Sequence, residues 1–346
     1  YHLLRSLLAL DEQVEYVGYL RPGSLQAGRL EGWPVHDRLR WVETPRWLMP
    51  CRGAWDRLDL YHGPNFKMHT TGRSGGIVTI HDLWLARHPE YSRKLLGQAG
   101  SSRRAIATAN RARRVVTVSE FSAREIEALY GIPRERVVVI HNGVTEEFSP
   151  VQDEQGMAVL RARWAIPSAG FILFVGGADP RKNHRVFLQA VAQSRSQLGG
   201  RAILLVGDAE HPQGSYLATA RSLGLEQDVR CTGRLNREDL CRLYSYAEVF
   251  VFPSLYEGFG MPVLEAMACG APTITSSTSS LPEVAGDAAL LVNPEDVEAL
   301  GAAMVKVLSE QALRQQLRDR GFERARLFTW QRAALRTSAL YRELCA

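Results

Sequence analysis

The sequence predicts an α/β fold of doubly wound parallel sheets arranged in two domains. Strand-like apolar runs alternate with amphipathic helical runs almost throughout the 346 residues, and this alternation indicates parallel sheets with right-handed crossovers. The chain is long enough for two domains that each bury a core of their own. A polar stretch over residues 142–157, with Gly143 and Pro150, is typical of the linker between them.

Short runs rich in apolar and β-branched residues predict the strands. In the first half we expect strands at 14–20, 58–62, 77–81, 114–118 and 137–140. In the second half we expect them at 171–175, 202–207, 229–232, 249–253, 273–276 and 289–292. Helical periodicity predicts helices at 1–8, 122–130, 184–197, 262–270 and 329–345.

The composition, with 45% hydrophobic and 23% charged residues, is that of an ordinary globular protein. No apolar run approaches the ~20 residues that a membrane-spanning helix needs, and the first residues do not resemble a signal peptide. The five cysteines are scattered, odd in number and without a Cys-x2-Cys pair. This argues against a zinc site or a disulfide framework, so we expect reduced thiols and a cytoplasmic location.

The net charge of +5 lies entirely in the first half of the chain. Residues 1–150 hold 21 Lys and Arg against 16 Asp and Glu, whereas residues 151–346 hold 21 of each. The densest basic segment contains Arg103, Arg104, Arg111, Arg113 and Arg114. It is either a solvated helix face or a contact with an anionic membrane at its inner face or a lipid-linked acceptor. No nucleic-acid-binding motif is present, so nucleic acid is not an expected partner.

The segment Glu257-Gly258-Phe259-Gly260-Met261-Pro262-Val263-Leu264-Glu265 carries the most functional information. It joins a predicted buried strand to the start of a helix through a glycine-rich loop. In this arrangement, backbone N–H groups and the positive end of the helix dipole face an anion. An acid lies on each side of that anion site, and two acids would repel phosphate alone. A nucleotide-sugar fits, because its diphosphate lies between the hydroxyls of a ribose and those of a hexose.

Two glutamates with seven residues between them, and Gly-Phe-Gly after the first, closely resemble the retaining glycosyltransferases of family 4. Further segments match that family in the expected order along most of the chain. They are Gly176-Gly177-Ala178-Asp179-Pro180-Arg181-Lys182-Asn183, His81-Asp82-Leu83, Ile140-His141-Asn142-Gly143-Val144 and Ser280-Leu281-Pro282-Glu283-Val284.

The resemblance implies the GT-B fold, in which two Rossmann-like doubly wound domains face each other across a cleft. We expect an acceptor-side domain at 1–150, a nucleotide-sugar-binding domain at 151–328, and a final helix at 329–346 that returns to the first domain. The chain opens with a helical pattern where the family has a strand and a Gly-rich loop, so we expect that strand and loop to be missing here.

The resemblance also assigns roles to individual residues. Glu257 and His81 would lie at the donor hexose, and Lys182 and Arg181 would stabilise the leaving diphosphate, although Gly177 stands where many relatives have an arginine. Glu265 would accept hydrogen bonds from the ribose. The remaining expected donor-binding positions are Gly258, Phe259, Gly260, Met261, Gly177, Gly233 and Arg234. No Asp-x-Asp or paired-His spacing is present, so we expect no metal and no prosthetic group.

These observations predict a metal-independent retaining hexosyltransferase of polysaccharide biosynthesis. We expect it to move mannose from GDP-mannose to a glycan or lipid-linked saccharide, with a UDP-sugar as the open alternative for the donor. A non-catalytic nucleotide-sugar-binding subunit on the same fold is also open. A nicotinamide-dependent dehydrogenase is disfavoured, since it would need Gly-x-Gly-x-x-Gly opening a helix. An epimerase on the same architecture fits the Arg181-Lys182 loop less well.

Overall fold

The chain divides into two compact units, each described here by itself. The computed structural model describes residues 1–10, 13–25, 27, 32–45, 47–68, 76–89 and 98–346. We call Tyr1–Gly143 together with Phe328–Ala346 the N-terminal unit, and Val144–Leu327 the C-terminal unit. The boundary after Gly143 falls in the stretch where the sequence predicts a linker, and the last segment is assigned to the first unit.

Helices and parallel strands alternate along the described residues. The helices are α1 (His2–Leu10), α2 (Met49–Trp55), α3 (Trp84–Arg87), α4 (Gln98–Arg111), α5 (Glu120–Tyr130), α6 (Glu154–Arg163), α7 (His184–Ser194), α8 (Tyr216–Ser222), α9 (Arg237–Tyr246), α10 (Met261–Ala268), α11 (Leu281–Ala285), α12 (Val297–Ser309), α13 (Gln311–Ala325) and α14 (Trp330–Cys345). Single 3-10 turns occur at Arg134–Arg136, Pro180–Lys182 and Arg195–Gln197.

The described residues also form fourteen strands. They are β1 (Tyr16–Leu20), β2 (Leu39–Glu43), β3 (Tyr61–Gly63), β4 (Gly76–Ile80), β5 (Arg114–Thr117), β6 (Val137–Val139), β7 (Phe171–Val175), β8 (Ala202–Val206), β9 (Glu210–His211), β10 (Gly214–Ser215), β11 (Val229–Gly233), β12 (Val249–Phe252), β13 (Thr273–Ser276) and β14 (Ala289–Val292).

The C-terminal unit is built on a parallel sheet in the order β11-β8-β7-β12-β13-β14. Its first strand, β7, lies in the centre and pairs on one side with β8 and on the other with β12. The chain therefore winds outward from β7 in one direction and from β12 in the other, which is the doubly wound arrangement. In such sheets, ligands bind beyond the carboxyl ends of the strands where the winding reverses. Here that point lies between β7 and β12.

Helices on both faces explain why the inner strands β7, β8 and β12 are apolar throughout. The side chains of Ile172 and Phe174 on β7 are fully buried in a core that also contains Phe187 of α7 and Met304 of α12. Leu173 on the same strand is also fully buried, although its side chain points to the opposite face. Continuous apolar runs of this kind are typical of parallel strands that are covered on both sides.

The N-terminal unit has a parallel sheet in the order β3-β4-β5-β6, and β1 and β2 form a separate parallel pair. The final helix, α14, packs on one face of the four-stranded sheet, where Leu340 and Leu344 contact Ile77 and Val116. His62 reinforces this contact, with Nδ1 2.6 Å from the Tyr341 hydroxyl and Nε2 2.8 Å from Thr79 Oγ1.

Two of the clustered arginines also bind α14. The Arg113 guanidinium donates to the Leu344 carbonyl over 2.6 Å, and Arg114 pairs with Glu343 at 3.0 Å. Arginine near a helix C-terminus complements the negative end of the helix dipole. Arg103, Arg104 and Arg111 are exposed on or at the end of α4. The basic segment is thus partly structural, and the expectation of an anionic contact now concerns these three side chains.

Strand positions agree closely with the expectations, and the starts and ends differ by a few residues. β2 is the main omission: Leu39–Glu43 pairs in parallel with β1, and two charged residues, Arg40 and Glu43, interrupt its apolar ones. Its partner lies more than twenty residues away, so no local turn signal marks the pairing. The predicted linker at 142–157 is also too long, because α6 begins at Glu154 with the Asp153 carboxylate accepting from the Gly156 N–H.

No helix in the described ranges combines the length and the apolarity needed to cross a membrane. All five cysteines are free thiols, and two of them, Cys241 and Cys269, are buried.

Candidate active site

Lys182 and Glu257 form an ion pair where the winding of the sheet reverses. Lys182 ends the 3-10 turn after β7, and Glu257 lies in the loop after β12. Lys182 Nζ is 2.6 Å from Glu257 Oε1, and the two side chains are only 15% and 10% exposed. The ammonium also lies 5.0 Å from the centre of the Phe252 ring, which adds a cation–π contact. A buried pair of this geometry holds both charges in place.

The loop that carries Lys182 is fixed by its neighbours in sequence. The Asp179 carboxylate accepts from the Arg181 N–H at 2.9 Å and caps the turn. Asn183 is buried with φ 60°, a left-handed conformation that asparagine tolerates better than most residues. Its amide donates to the Pro253 carbonyl at 3.0 Å and to the Pro294 carbonyl at 2.6 Å. These bonds tie the Lys182 loop to the ends of β12 and β14.

The glycine loop leads directly into α10. Gly260 precedes the helix with φ 110°, and no side chain caps the helix at this end. A Cβ on Gly260 would lie 2.7 Å from Leu281 Cδ2, so both its backbone conformation and its surroundings require glycine. The Ser280 hydroxyl oxygen lies 2.9 Å from the Glu257 carbonyl and 2.8 Å from the Phe259 carbonyl, and it donates to one of them at a time. The predicted positions Gly258, Phe259, Gly260 and Met261 thus form one braced turn at a helix N-terminus.

Glu265 lies on α10 in a different environment from Glu257. Its carboxylate accepts one hydrogen bond, from the Tyr244 hydroxyl at 3.3 Å. Burial raises the pKa of Glu265 to about 7, and the Tyr244 hydrogen bond and the charge of Arg237 offset only part of that rise. The protonation state of Glu265 therefore changes near neutral pH, and a ligand that supplies hydroxyl donors would favour the ionised form.

Three glycine-containing loops meet at the carboxyl ends of β7, β8 and β11. The Gly207 N–H donates to the Gly233 carbonyl at 2.9 Å, and the Ala178 N–H donates to the Asp208 carbonyl at 2.8 Å. A Cβ on Gly207 would lie 2.1 Å from the Gly176 carbonyl oxygen, so this close approach of two backbones requires glycine. The predicted positions Gly177 and Gly233 both belong to this cluster of loops.

Arg234, the last predicted donor-binding residue of this unit, has its guanidinium paired with Asp208. Its Nε is 2.9 Å from Oδ1 and its Nη2 is 2.6 Å from Oδ2, which is a two-pronged contact. The two side chains are 82% and 54% exposed. The pair raises the pKa of Arg234 and lowers that of Asp208, in each case mainly through the hydrogen bonds between them.

His81 belongs to the N-terminal unit and follows β4. Its Nε2 lies 2.9 Å from the Pro64 carbonyl, and its ring is next to Phe66. The Ser122 hydroxyl approaches the His81 carbonyl at 3.4 Å. The imidazole is thus oriented by the loop after β3, at the carboxyl end of its sheet, where ligands of such folds bind.

No group of three or more His, Cys, Asp or Glu side chains is placed to hold a metal ion in the part of the chain that the structure describes. Lys182 and Arg181 are the basic side chains that the sequence predicts at this site, and Lys182 pairs with Glu257.

Sequence reasoning missed three residues that the site contains. The Ser254 hydroxyl contacts Glu257, Phe252 lies beneath the Lys182 ammonium, and Tyr244 donates to Glu265. Ser254 and Phe252 lie at or just after the end of β12, and that position is a signal that could have identified them. Tyr244 lies on α9 and had no such signal.

Comparisons with known proteins identify relatives of both units. The family described as glycosyl transferases group 1 matches residues 159–324, and the one described as glycosyltransferase family 4 matches residues 1–148. O-antigen chain mannosyltransferase B of Escherichia coli is 33% identical over 310 residues, which are 88% of this chain and 80% of that protein. Serotype-specific mannosyltransferase WbdA of Escherichia coli is 34% identical over 233 residues, which are 66% of this chain but only 28% of that longer protein.

A solved structure of Anabaena Alr3699/HepE in complex with UDP-glucose has the same fold. It superposes with a TM-score of 0.73 at 17% identity, over 96% of this chain and 100% of that one. The parallel sheets, the loops at their carboxyl ends and the sequence matches over both units lead to one assignment. The chain is a GT-B enzyme and belongs to the glycosyltransferases of family 4.

Proposed function

We propose that this enzyme transfers mannose from GDP-mannose to a hydroxyl of a glycan or a lipid-linked saccharide, without a metal ion and with retention of anomeric configuration. The observation that carries the proposal is the Lys182–Glu257 pair at the point where the sheet winding reverses. It supplies a cation for a leaving diphosphate and an acid for a sugar, next to an uncapped helix N-terminus.

Mannose is supported by the names of the relatives. The two relatives described above are both named mannosyltransferases. The solved structure of HepE with UDP-glucose supports a nucleotide-sugar donor on this fold and keeps UDP as the alternative nucleotide. O-antigen assembly, in the name of the first relative, supports a saccharide acceptor.

The proposed reaction breaks one bond and forms one. The bond between the mannose C1 and the β-phosphate oxygen breaks, and its electron pair leaves with GDP. Lys182 and Arg181 stabilise the charge that builds up on the diphosphate, as preorganised cations do in other transfer reactions. The acceptor oxygen bonds to C1 on the same face, and its proton passes to the departing phosphate oxygen. Glu257 stabilises the positive charge on the sugar, and His81 contacts the hexose from the N-terminal unit.

The remaining predicted residues bind the donor in this proposal. Glu265 accepts hydrogen bonds from the ribose hydroxyls. The backbone of Gly258, Phe259, Gly260 and Met261 binds phosphate or sugar oxygens, and the loop at Gly177 lies beside the diphosphate. Gly233 and Arg234 frame the base. The exposed arginines of α4 would attract a lipid-linked acceptor at an anionic membrane surface.

Calorimetry with a donor panel tests the proposal. GDP-mannose, UDP-glucose, UDP-N-acetylglucosamine, NAD and the free nucleoside diphosphates are titrated with EDTA present throughout. We expect GDP-mannose to bind most tightly and Lys182→Ala to abolish the signal. Preference for a UDP-sugar would replace the donor, and binding that needs added Mg²⁺ would contradict metal independence. Mannosyl transfer to saccharide acceptors, analysed for the configuration of the new linkage, then tests the reaction.

A further inference from the structure

Ser254 is a fully buried serine at the end of β12, between the two loops that carry Lys182 and Glu257. Its hydroxyl oxygen lies 2.7 Å from Glu257 Oε1 and 3.0 Å from the Arg181 carbonyl. The Tyr256 carbonyl lies farther away, at 3.4 Å. One side chain therefore connects the loop that supplies the cations to the loop that supplies the acid.

A serine hydroxyl carries one proton and can donate to only one of these oxygens at a time. The Arg181 carbonyl already accepts from the Leu255 N–H at 2.9 Å. Glu257 Oε1 is closer to Ser254 and belongs to a carboxylate, and hydrogen bonds to charged acceptors are the stronger ones. The serine proton thus goes preferentially to Glu257.

The two oxygens of Glu257 are consequently in different situations. Oε1 receives both the Lys182 ammonium at 2.6 Å and the Ser254 hydroxyl at 2.7 Å. No hydrogen bond to Oε2 is found among the residues that the structure describes. The carboxylate is held by one oxygen and offers the other.

We propose that Ser254 is a positioning residue that fixes the Glu257 carboxylate so that Oε2 faces the donor hexose. This inference rests on the proposed function, in which Glu257 serves the sugar and Lys182 serves the diphosphate. When a donor binds, its diphosphate competes with Oε1 for the Lys182 ammonium. The Ser254 hydrogen bond does not depend on the diphosphate, so it keeps the carboxylate oriented while the lysine charge is shared.

The proposal predicts different effects on binding of the hexose and on binding of the nucleoside diphosphate. Ser254 acts on the hexose through Glu257, so its loss should affect the sugar nucleotide and spare the nucleoside diphosphate. For Ser254→Ala we expect kcat/KM for the donor to fall about 10–100-fold, the range for losing one hydrogen bond to a charged group. The calorimetric Kd of GDP should stay within about 2-fold, since GDP has no hexose to contact Glu257. Ser254→Cys, which keeps a weak donor, should recover part of the activity.

A double-mutant cycle shows whether Ser254 acts through Glu257. In a Glu257→Gln background, Ser254→Ala should cost less than about 3-fold further, because the carboxylate that it positions is gone. Thr273→Val is the control for removing a buried hydroxyl from the same sheet. The Thr273 hydroxyl donates at 2.9 Å to the Ala271 carbonyl, at the opposite end of β13 from the site. It should lower Tm without changing kcat/KM.

The outcomes separate this inference from the proposed function. If Glu257→Gln sharply lowers transfer but Ser254→Ala is harmless, or weakens GDP as much as GDP-mannose, the positioning role is wrong and the proposed function stands. Equal losses from Ser254→Ala in both backgrounds would also overturn it. If the unmodified chain binds no sugar nucleotide and transfers no sugar, the proposed function and the inference both fail.

Discussion

Two ion pairs at the carboxyl ends of neighbouring strands show how strongly burial changes what a charge contributes. Lys182–Glu257 and Arg234–Asp208 have the same N···O distance of 2.6 Å. The first pair is largely buried and is braced by Ser254 and Phe252. The second is mostly exposed, and water competes for both of its partners. Distance alone would rate the pairs as equal, whereas burial makes the loss of one partner costly in the first pair and exposure makes it nearly neutral in the second.

Removing Lys182 should have the largest effect. Lys182→Ala leaves Glu257 buried without its cation and takes a cation from the leaving group. We expect turnover to fall at least about 100-fold and the free energy of unfolding to fall by roughly 3 kcal/mol. Steady-state kinetics and urea unfolding measure the two effects. Lys306→Ala, on an exposed position of α12, is the matched control, and near-normal turnover in Lys182→Ala would refute the site assignment.

Glu265 extends the comparison to a partly buried acid that has no basic hydrogen-bond partner among the described residues. Its pKa of about 7 means that the ionised form, which in the proposed function accepts hydrogen bonds from the ribose hydroxyls, gains population as pH rises. Donor Kd should therefore tighten roughly 10-fold from pH 6 to pH 8. Glu265→Gln should bind donor about 100-fold more weakly at pH 8 and lose this pH dependence. Calorimetry across that range measures both, and an unchanged pH dependence in the variant would contradict the role.

The Glu265 contribution to the free energy of unfolding should change with pH in the opposite direction to donor affinity. Because the pKa of Glu265 is raised on folding, the folded state holds a proton that the unfolded chain has released. The free energy of unfolding therefore falls as pH rises from about 4.5 to 7, because the folded state still holds this proton and the unfolded chain does not. Glu265→Gln should therefore gain stability relative to the unsubstituted enzyme above pH 7, while it loses donor affinity.

His184 tests how burial shifts the pKa of a basic side chain and, through it, the stability of the fold. It is 1% exposed, and burial lowers its pKa to about 4, with the charge of Arg185 as a smaller cause. Below pH 6.5 the His184 imidazole binds a proton in the unfolded chain but not in the folded one. The free energy of unfolding should therefore fall between pH 6.5 and 4. At pH 5 the loss should be roughly 2 kcal/mol. Urea unfolding at pH 7 and pH 5 should show this loss in the unsubstituted chain, and His184→Leu should reduce it.

The exposed pair should show the smallest effect. Arg234→Ala removes a two-pronged contact that solvent already weakens, so we expect no measurable change in Tm at physiological salt. Differential scanning fluorimetry from low to high salt measures the Tm of Arg234→Ala against the unsubstituted chain. A clear Tm loss at every salt concentration would show that exposure is a poor guide to the strength of this pair.

Most of the fold could be predicted because parallel strands buried on both faces leave long apolar runs. Phe171–Val175, Thr273–Ser276 and Ala289–Val292 begin and end where the sequence predicts. Leu39–Glu43 was missed because the strand is short, charged residues interrupt its apolar ones, and its partner is distant. Register between remote strands depends on tertiary packing, which no local pattern encodes.

The sequence predicted several residues of the candidate site, but it did not predict which of them contact one another. Lys182 and Glu257 were both expected near the donor, yet their direct pairing brings together residues 75 positions apart. Ser254 was overlooked because a single serine after a strand is common, and only its three oxygen neighbours reveal what it does. Tyr244 could not be predicted, since its hydroxyl reaches Glu265 only because α9 packs beside α10. The roles proposed for all of these residues stay predictions.

The helix α14 has a practical consequence for taking the enzyme apart. Because α14 and the first 143 residues form one unit, the C-terminal unit is a continuous insertion between two pieces of the other. A fragment covering residues 144–327 keeps all the strands of its sheet and is a candidate for independent expression. A fragment ending at Gly143 would expose the sheet surface that Leu340 and Leu344 cover. Expression trials should therefore join the two pieces of the N-terminal unit through a short linker.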